Sequence, residues 1–105
     1  MNPEKEISRI KQEKIEASDK TCKGCSERKT LTASHIIRKS ARDDLKTSYD
    51  NITLHCMDCH AAWDSNDISR MIKLNDFADS LYYISQVDRS RFFRLMYKIQ
   101  DYARA

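Results

Sequence analysis

Two short cysteine pairs are the residues of this chain whose type and spacing most directly predict chemistry. Cys22 and Cys25 form one Cys-x-x-Cys pair, Cys56 and Cys59 form the other, and thirty residues separate the pairs. Each pair is short enough for both sulfurs to bind one ion, and four thiolates complete the tetrahedron that Zn²⁺ prefers. Such a site leaves no position open for water or substrate. We therefore predict a structural zinc ion that closes the intervening chain.

Other uses of the same thiols remain open at this stage. A redox dithiol or an iron-sulfur cluster also uses paired cysteines, and a site of three cysteines with His55 or His60 is a further variant. Gly24, the only glycine, lies inside the first pair, where we expect it to permit a tight turn.

The three histidines lie inside or beside the segment that the cysteines enclose. His35 ends a predicted strand and faces a basic loop, whereas His60 follows Cys59 directly at the first turn of a predicted helix. Asp64 lies four residues after His60, so both side chains share one helical face and can chelate one ion. We expect His55 to be structural or to lie on the surface.

These residues suffice for the hydrolysis of a phosphodiester. That reaction needs a base for water, a cation for the developing charge, and assistance to the leaving oxygen. A histidine titrating near neutrality serves as the base, and one divalent ion serves the other two roles. His35 as the base and His60 with a metal ion are therefore chemically sufficient.

The flanking pattern predicts the elements that position these side chains. A β-branched, alternating run predicts a strand over 30–37, and a second strand over 51–55 follows the polar loop 38–50. A helix is predicted from His60 to Asp64. Residues 3–19 predict a marginal helix that packs or frays. Residues 66–105 predict helices capped by Asn75 or Asp76 and by Asp88, with aromatic and methionine stripes packed in the core together with Trp63.

The ordered motif resembles the HNH endonuclease family. Its parts are the first Cys pair, Ser34-His35-Ile36-Ile37, Asn51-Ile52-Thr53-Leu54, and the second Cys pair followed by His60. The resemblance covers residues 22–64 and implies an α+β fold. That fold is a ββα-metal (His-Me finger) nucleus with a structural zinc bound by four cysteines, flanked by N- and C-terminal helices.

The resemblance also implies a role for each matched residue. His35 corresponds to the general base, and Asn51 corresponds to the asparagine that pins the loop and orients that base. His60 corresponds to the metal-binding histidine at the start of the helix. Cys22, Cys25, Cys56 and Cys59 correspond to the structural zinc site of a subset of the family.

One position departs from the family pattern. Many members carry an aspartate or histidine before the base as a further metal ligand, and this chain has Ser34 there. We expect Asp64 to replace that ligand beside His60. The catalytic ion is expected to be Mg²⁺, Mn²⁺ or Ni²⁺.

Composition limits the remaining possibilities. The 105 residues are 33% charged and 40% hydrophobic, and no apolar run is long enough to span a membrane. We expect one nuclease domain, with an extension at 1–19, a zinc-anchored core at 20–65 and C-terminal helices at 66–105. No secretion signal is evident, so the expected location is the cytoplasm of a bacterium or a phage-infected host.

The expected partner is DNA. The net charge of +3 is a weak indication, but basic residues concentrate near the candidate site. Arg38, Lys39 and Arg42 are the predicted phosphate contacts. Two rival interpretations remain: a non-catalytic zinc module that binds nucleic acid or protein, which Ser34 favours, and an interaction protein. Small members of the family are often phage-encoded, so the resemblance allows a phage or host protein as a partner of the C-terminal helices.

Overall fold

A computed structural model describes residues 2–104 and contains five α-helices and a two-stranded sheet within that range. The elements in chain order are α1 (Pro3–Glu16), β1 (Thr32–His35), β2 (Ile52–His55), α2 (Met57–Asp64), α3 (Ile68–Met71), α4 (Phe77–Val87) and α5 (Arg89–Arg104). Short 3-10 helices at Asp43–Leu45 and Tyr49–Asn51 interrupt the loop between the strands. The predicted α+β fold with a small sheet, helices and a cysteine cluster is confirmed.

The two strands pair antiparallel, with Thr32 opposite His55 and His35 opposite Ile52. β1 is shorter than the predicted strand over 30–37, because β2 offers only four residues for pairing. The Ile36 amide still donates to the Asn51 carbonyl at 2.8 Å, so the pairing extends one step beyond His35. This extra bond holds the end of β1 against the entrance of β2.

Helix α2 begins at Met57, three residues before the predicted start at His60. The second cysteine pair is itself the first turn of the helix, because the His60 amide donates to the Cys56 carbonyl at 2.9 Å. Cys59 and His60 therefore lie on one rigid element.

The main hydrophobic core lies where the sheet, α2 and the C-terminal helices meet. Trp63 is 6% exposed, and its ring meets Phe77 edge-on with 6.2 Å between centroids. Its indole N–H donates to the Ile36 carbonyl at 2.9 Å, which satisfies a polar group that packing would otherwise leave unpaired. The predicted core position of Trp63 is confirmed.

Helix α1 packs against the sheet, as one of the two predicted outcomes for this segment. The Asn2 side chain accepts a hydrogen bond from the Glu4 amide at 2.9 Å, and Pro3 occupies the first turn, where its missing N–H has no consequence. Ile10 is buried on the packed face at 1% exposure. Within residues 2–104, no helix combines the length and apolar composition required to cross a membrane.

Of the predicted helix caps in the C-terminal part, Asp88 forms a capping hydrogen bond and Asp76 does not. The Asp88 side chain accepts from the Arg91 amide at 3.1 Å and so caps α5. Asp76 occupies the cap position of α4 but forms no capping bond. Its carboxylate lies 2.9 Å from Nε2 of His55 instead, because that buried histidine needs a polar partner.

The prediction that the aromatic stripes pack in the core is wrong for two tyrosines. Tyr82 is 68% exposed and Tyr102 is 45% exposed. Helix α5 contains no fully buried residue, and Phe92, Leu95 and Ile99 are its partly buried contacts with the core. The reason is that α5 contacts α3 and α4 along one side and leaves its outer side uncovered.

Gly24 serves close packing and not an unusual backbone angle, which corrects its predicted role. The backbone of Gly24 has no positive φ, whereas Ser26 in the same turn has a φ of 63°. A Cβ atom on Gly24 would lie 2.8 Å from Sγ and 2.9 Å from Cβ of Cys59. The absence of a side chain is thus what allows the two cysteine pairs to approach.

We expect Gly24→Ala to destabilise the protein by about 1–3 kcal/mol, because the new methyl group collides with Cys59. Thermal or denaturant unfolding measures the change, and bound zinc measures the effect on the cluster. Arg28→Ala is the control close to the same turn, since this exposed side chain forms no ion pair or side-chain hydrogen bond within residues 2–104. Equal stability and zinc content for Gly24→Ala and wild type would contradict this account of the glycine.

Candidate functional site

The four cysteines converge on one position between the first cysteine turn and the start of α2. The sulfurs of Cys22, Cys25, Cys56 and Cys59 all lie within 4.8 Å of one another. Zn–S bonds of about 2.3 Å in a tetrahedron place sulfurs about 3.8 Å apart. The Cys25 and Cys56 sulfurs are 3.9 Å apart. The four thiols therefore fit a zinc ion, and no disulfide joins them.

The backbone around the cluster favours a thiolate at Cys22. The Cys22 sulfur accepts from the Gly24 amide at 3.3 Å and from the Cys56 amide at 3.2 Å. Burial opposes the charge, but these N–H groups outweigh it and lower the pKa of Cys22 to about 7. Burial raises the pKa of Cys59. A bound cation would stabilise all four as thiolates.

The imidazole of His60 is held by the neighbouring strand. Nδ1 of His60 lies 2.7 Å from the Thr32 hydroxyl, and that hydroxyl donates its only proton to the His55 carbonyl at 2.8 Å. Because the hydroxyl proton is already used, Nδ1 of His60 must be the donor to Thr32. Nε2 of a neutral His60 consequently carries a lone pair.

The lone pair on Nε2 of His60 lies beside a carboxylate oxygen of Asp64. Nε2 of His60 and Oδ2 of Asp64 are 3.2 Å apart, with both side chains open to solvent. Two acceptors at this distance repel unless a proton or a metal ion lies between them. The predicted pairing of His60 with Asp64 on one helical face is thus present. An imidazole and a carboxylate together suit a divalent ion such as Mn²⁺ or Ni²⁺.

The imidazole of His35 is held through Nε2, whereas that of His60 is held through Nδ1. Nε2 of His35 lies 2.8 Å from the Lys46 carbonyl, and a carbonyl only accepts, so Nε2 carries the proton. Nδ1 is then the nitrogen that can accept a proton. Burial lowers the pKa of His35 below its usual value, and the hydrogen bond to Lys46 opposes that effect only in part. The imidazole is therefore neutral at neutral pH.

Asn51 fixes the loop that supplies this carbonyl. The Asn51 side chain is fully buried and accepts from the Ile37 amide at 2.8 Å. Its amide group donates to the Ile37 carbonyl at 3.0 Å and to the Leu45 carbonyl at 3.2 Å. Leu45 immediately precedes Lys46, so Asn51 ties both ends of the loop beside the His35 contact.

Ser34 is in no position to bind a solvent-accessible ion. The residue is completely buried, and its hydroxyl oxygen has no hydrogen-bond partner. Within residues 2–104, the four cysteines are the one cluster of three or more His, Cys, Asp or Glu side chains spaced to hold an ion. His60 and Asp64 are therefore the two side chains here that could hold a catalytic ion, and water and substrate would have to complete its coordination.

The three basic residues predicted from the sequence have different surroundings. Arg38 is exposed and donates to the Asp64 carbonyl at 3.1 Å, and Lys39 is also exposed. Arg42 is bonded through two nitrogens to Asp44, at 2.9 and 2.8 Å. A third nitrogen lies 3.2 Å from both the Val87 carbonyl and Asp88. This geometry favours Arg42 as a link between the loop and the α4–α5 junction.

Sequence reasoning missed several contributors to the site. Thr32 gave a weak signal as a polar residue in a strand, and the Lys46 contribution is a backbone carbonyl that no side-chain pattern reveals. Arg91, Arg94 and Lys98 line the same cavity as His35. Their spacing on one side of a predicted helix was visible in the sequence, but nothing there indicated which element the helix faces.

The comparisons with known proteins agree with the motif. Residues 22–63, which contain the four cysteines, the three histidines and Asn51, match the family model described as HNH endonuclease. The predicted resemblance is confirmed, and the four cysteines fit the zinc-containing subset. Comparison with curated proteins and with solved structures finds no match. The match supports nuclease activity in general terms.

We expect Thr32→Val to reduce the fraction of His60 in the tautomer that is protonated at Nδ1. Valine keeps the shape of the threonine side chain but removes the hydroxyl that accepts the hydrogen bond from Nδ1. Ring ¹⁵N chemical shifts of His60 in zinc-loaded protein without added divalent ions measure the tautomer. Thr53→Val on the partner strand is the control. An unchanged His60 tautomer in Thr32→Val would contradict the assignment.

Proposed function

We propose that the protein is a metal-dependent endonuclease that hydrolyses DNA phosphodiester bonds. The observation that carries the proposal is that His35 and His60 are each held by a hydrogen bond to one ring nitrogen, so that the other ring nitrogen has a lone pair. The Lys46 carbonyl leaves Nδ1 of His35 free to accept a proton, and Thr32 leaves Nε2 of His60 free to bind an ion beside Asp64. One base and one metal position are what the reaction requires.

The catalytic ion would be held by His60 and Asp64, with zinc held separately by the four cysteines. When bound, a divalent ion stabilises the charge that develops on the phosphate and on the leaving oxygen. Mg²⁺, Mn²⁺ and Ni²⁺ are the candidate ions.

The protein's own residues would carry the proton transfer. Nδ1 of His35 accepts a proton from water as the water oxygen bonds to phosphorus, and the bond from phosphorus to the 3′ oxygen breaks. The 3′ oxygen then takes a proton from solvent. Asn51 positions His35 indirectly by holding the loop that contains Lys46. Arg38 and Lys39 are exposed near the site and contact the DNA backbone, whereas Arg42 stabilises the loop.

We further propose that the regions 1–19, 20–65 and 66–105 act as one nuclease domain. The packing of α1 on the sheet and of α5 on α3 supports this view. A protein partner bound through the C-terminal helices, encoded by a phage or its host, stays a prediction.

A non-catalytic nucleic-acid-binding module is the second candidate function. Buried Ser34 favours it, since the catalytic position keeps only two side-chain ligands. The two functions differ in one measurable property, which is metal-dependent strand cleavage.

Plasmid nicking tests the proposal directly. We expect wild-type protein to nick supercoiled DNA when Mg²⁺, Mn²⁺ or Ni²⁺ is added after brief chelation. We expect His35→Ala to lose at least about 100-fold in rate, the typical contribution of a general base. Arg104→Gln, an exposed change far along α5, is the control for altered surface charge.

Zinc content and circular dichroism show whether each variant is folded. Folded, zinc-loaded wild-type protein that binds DNA and cuts it with none of the three metals would contradict the nuclease proposal. That result would favour the binding module.

The pH dependence of cleavage provides a separate test. Because burial lowers the pKa of His35, the neutral base persists below pH 6.5, and activity at saturating metal should fall only as pH drops through that lowered pKa. Lys39 contributes to the lowering, so Lys39→Gln should move the acid limb to higher pH. An acid limb above pH 6.5 in wild type would contradict the assigned base.

A further inference from the structure

Helix α5 carries a concentration of positive charge that the family motif does not explain. It contains five basic residues and one acidic residue, a formal net charge of +4, which exceeds the +3 of the whole chain. The matched family segment ends at residue 63, well before this helix. The charge on α5 therefore calls for its own explanation.

Three of these basic side chains face the candidate site. Arg91, Arg94 and Lys98 line a cavity of about 240 Å³ that His35, Arg38 and Asp64 also line. Their spacing of three and four residues places them on one side of the helix. The proposed base and metal ligand thus share one cavity with three cationic side chains from α5.

The cavity suits an anionic chain segment. Its volume of about 240 Å³ lies below the roughly 300–1,000 Å³ of typical small-molecule pockets. Its surface is contributed mainly by polar atoms, above buried Trp63, Met71 and Ile84. A phosphate with its adjoining sugar matches these properties.

Arg94 and Lys98 are available to such a ligand. Both are exposed, and within residues 2–104 neither forms an ion pair or a side-chain hydrogen bond. Arg91 lies closer to the core, where its Nε is buried without a hydrogen-bond partner, 3.8 Å from Asp88. Exposed arginine and lysine without acidic partners are the groups that bind phosphates and release counterions.

We propose that α5 forms the second wall of the substrate groove, with Arg94 and Lys98 binding backbone phosphates next to the bond that is cut. The inference rests on the proposed function in that the bound strand is its DNA substrate. The groove then extends the site beyond the family segment and gives the C-terminal helix a role in holding DNA.

Salt-dependent binding of duplex DNA, without added divalent metal, tests the inference apart from cleavage. Each phosphate contact contributes about 0.9 to the slope of log affinity against log salt concentration. We expect the double variant Arg94→Gln/Lys98→Gln to lose about 1.8 from that slope. Arg89→Gln/Arg104→Gln is the matched control, because it removes the same charge from exposed positions of the same helix outside the cavity.

The outcomes separate the two proposals. A slope reduced only in Arg94→Gln/Lys98→Gln supports the groove, even if wild type fails to cut DNA and the nuclease proposal falls. Equal slopes in the two double variants overturn the groove, even if wild type cuts DNA. Zinc content confirms that both variants are folded.

Discussion

The convergence of four thiols from two distant turns is the constraint on which the rest of the structure depends. It joins the turn at Gly24 to the start of α2, and thirty intervening residues must fold between those points. A short two-stranded sheet is marginal by itself in water. A metal bound by the cluster would therefore contribute folding free energy, and it would fix Cys59 and hence the neighbouring His60.

The same strand-loop-helix unit positions both histidines through backbone and hydroxyl groups. The loop carbonyl of Lys46 holds one ring, and Thr32 on β1 holds the other. Each contact fixes the proton on one ring nitrogen and leaves the other ring nitrogen with a lone pair. Asn51 links these arrangements, because its buried amide closes the loop that carries the Lys46 carbonyl.

Much of this site could be predicted because its ligands are close in sequence. The two cysteine pairs and the four-residue step from His60 to Asp64 are local patterns with a fixed geometric meaning. Contacts between elements that are distant in sequence could not be predicted in this way. The partner of His55 and the distant partners of Arg42 lie at the two ends of α4. The exposure of α5 depends on which helices cover it, and within residues 2–104 only α3 and α4 make extensive contacts with it. Local periodicity identifies a helical face but does not say which neighbour it meets.

We propose that His60 and Asp64 form a divalent-ion site separate from the cysteine cluster. Titration of zinc-loaded protein with Mn²⁺, followed by electron paramagnetic resonance, measures that site directly. We expect one bound Mn²⁺ in wild type, no binding in His60→Ala and weaker binding in Asp64→Asn, with zinc retained throughout. Equal Mn²⁺ affinity in the wild type and both variants would show that these two side chains do not bind the ion.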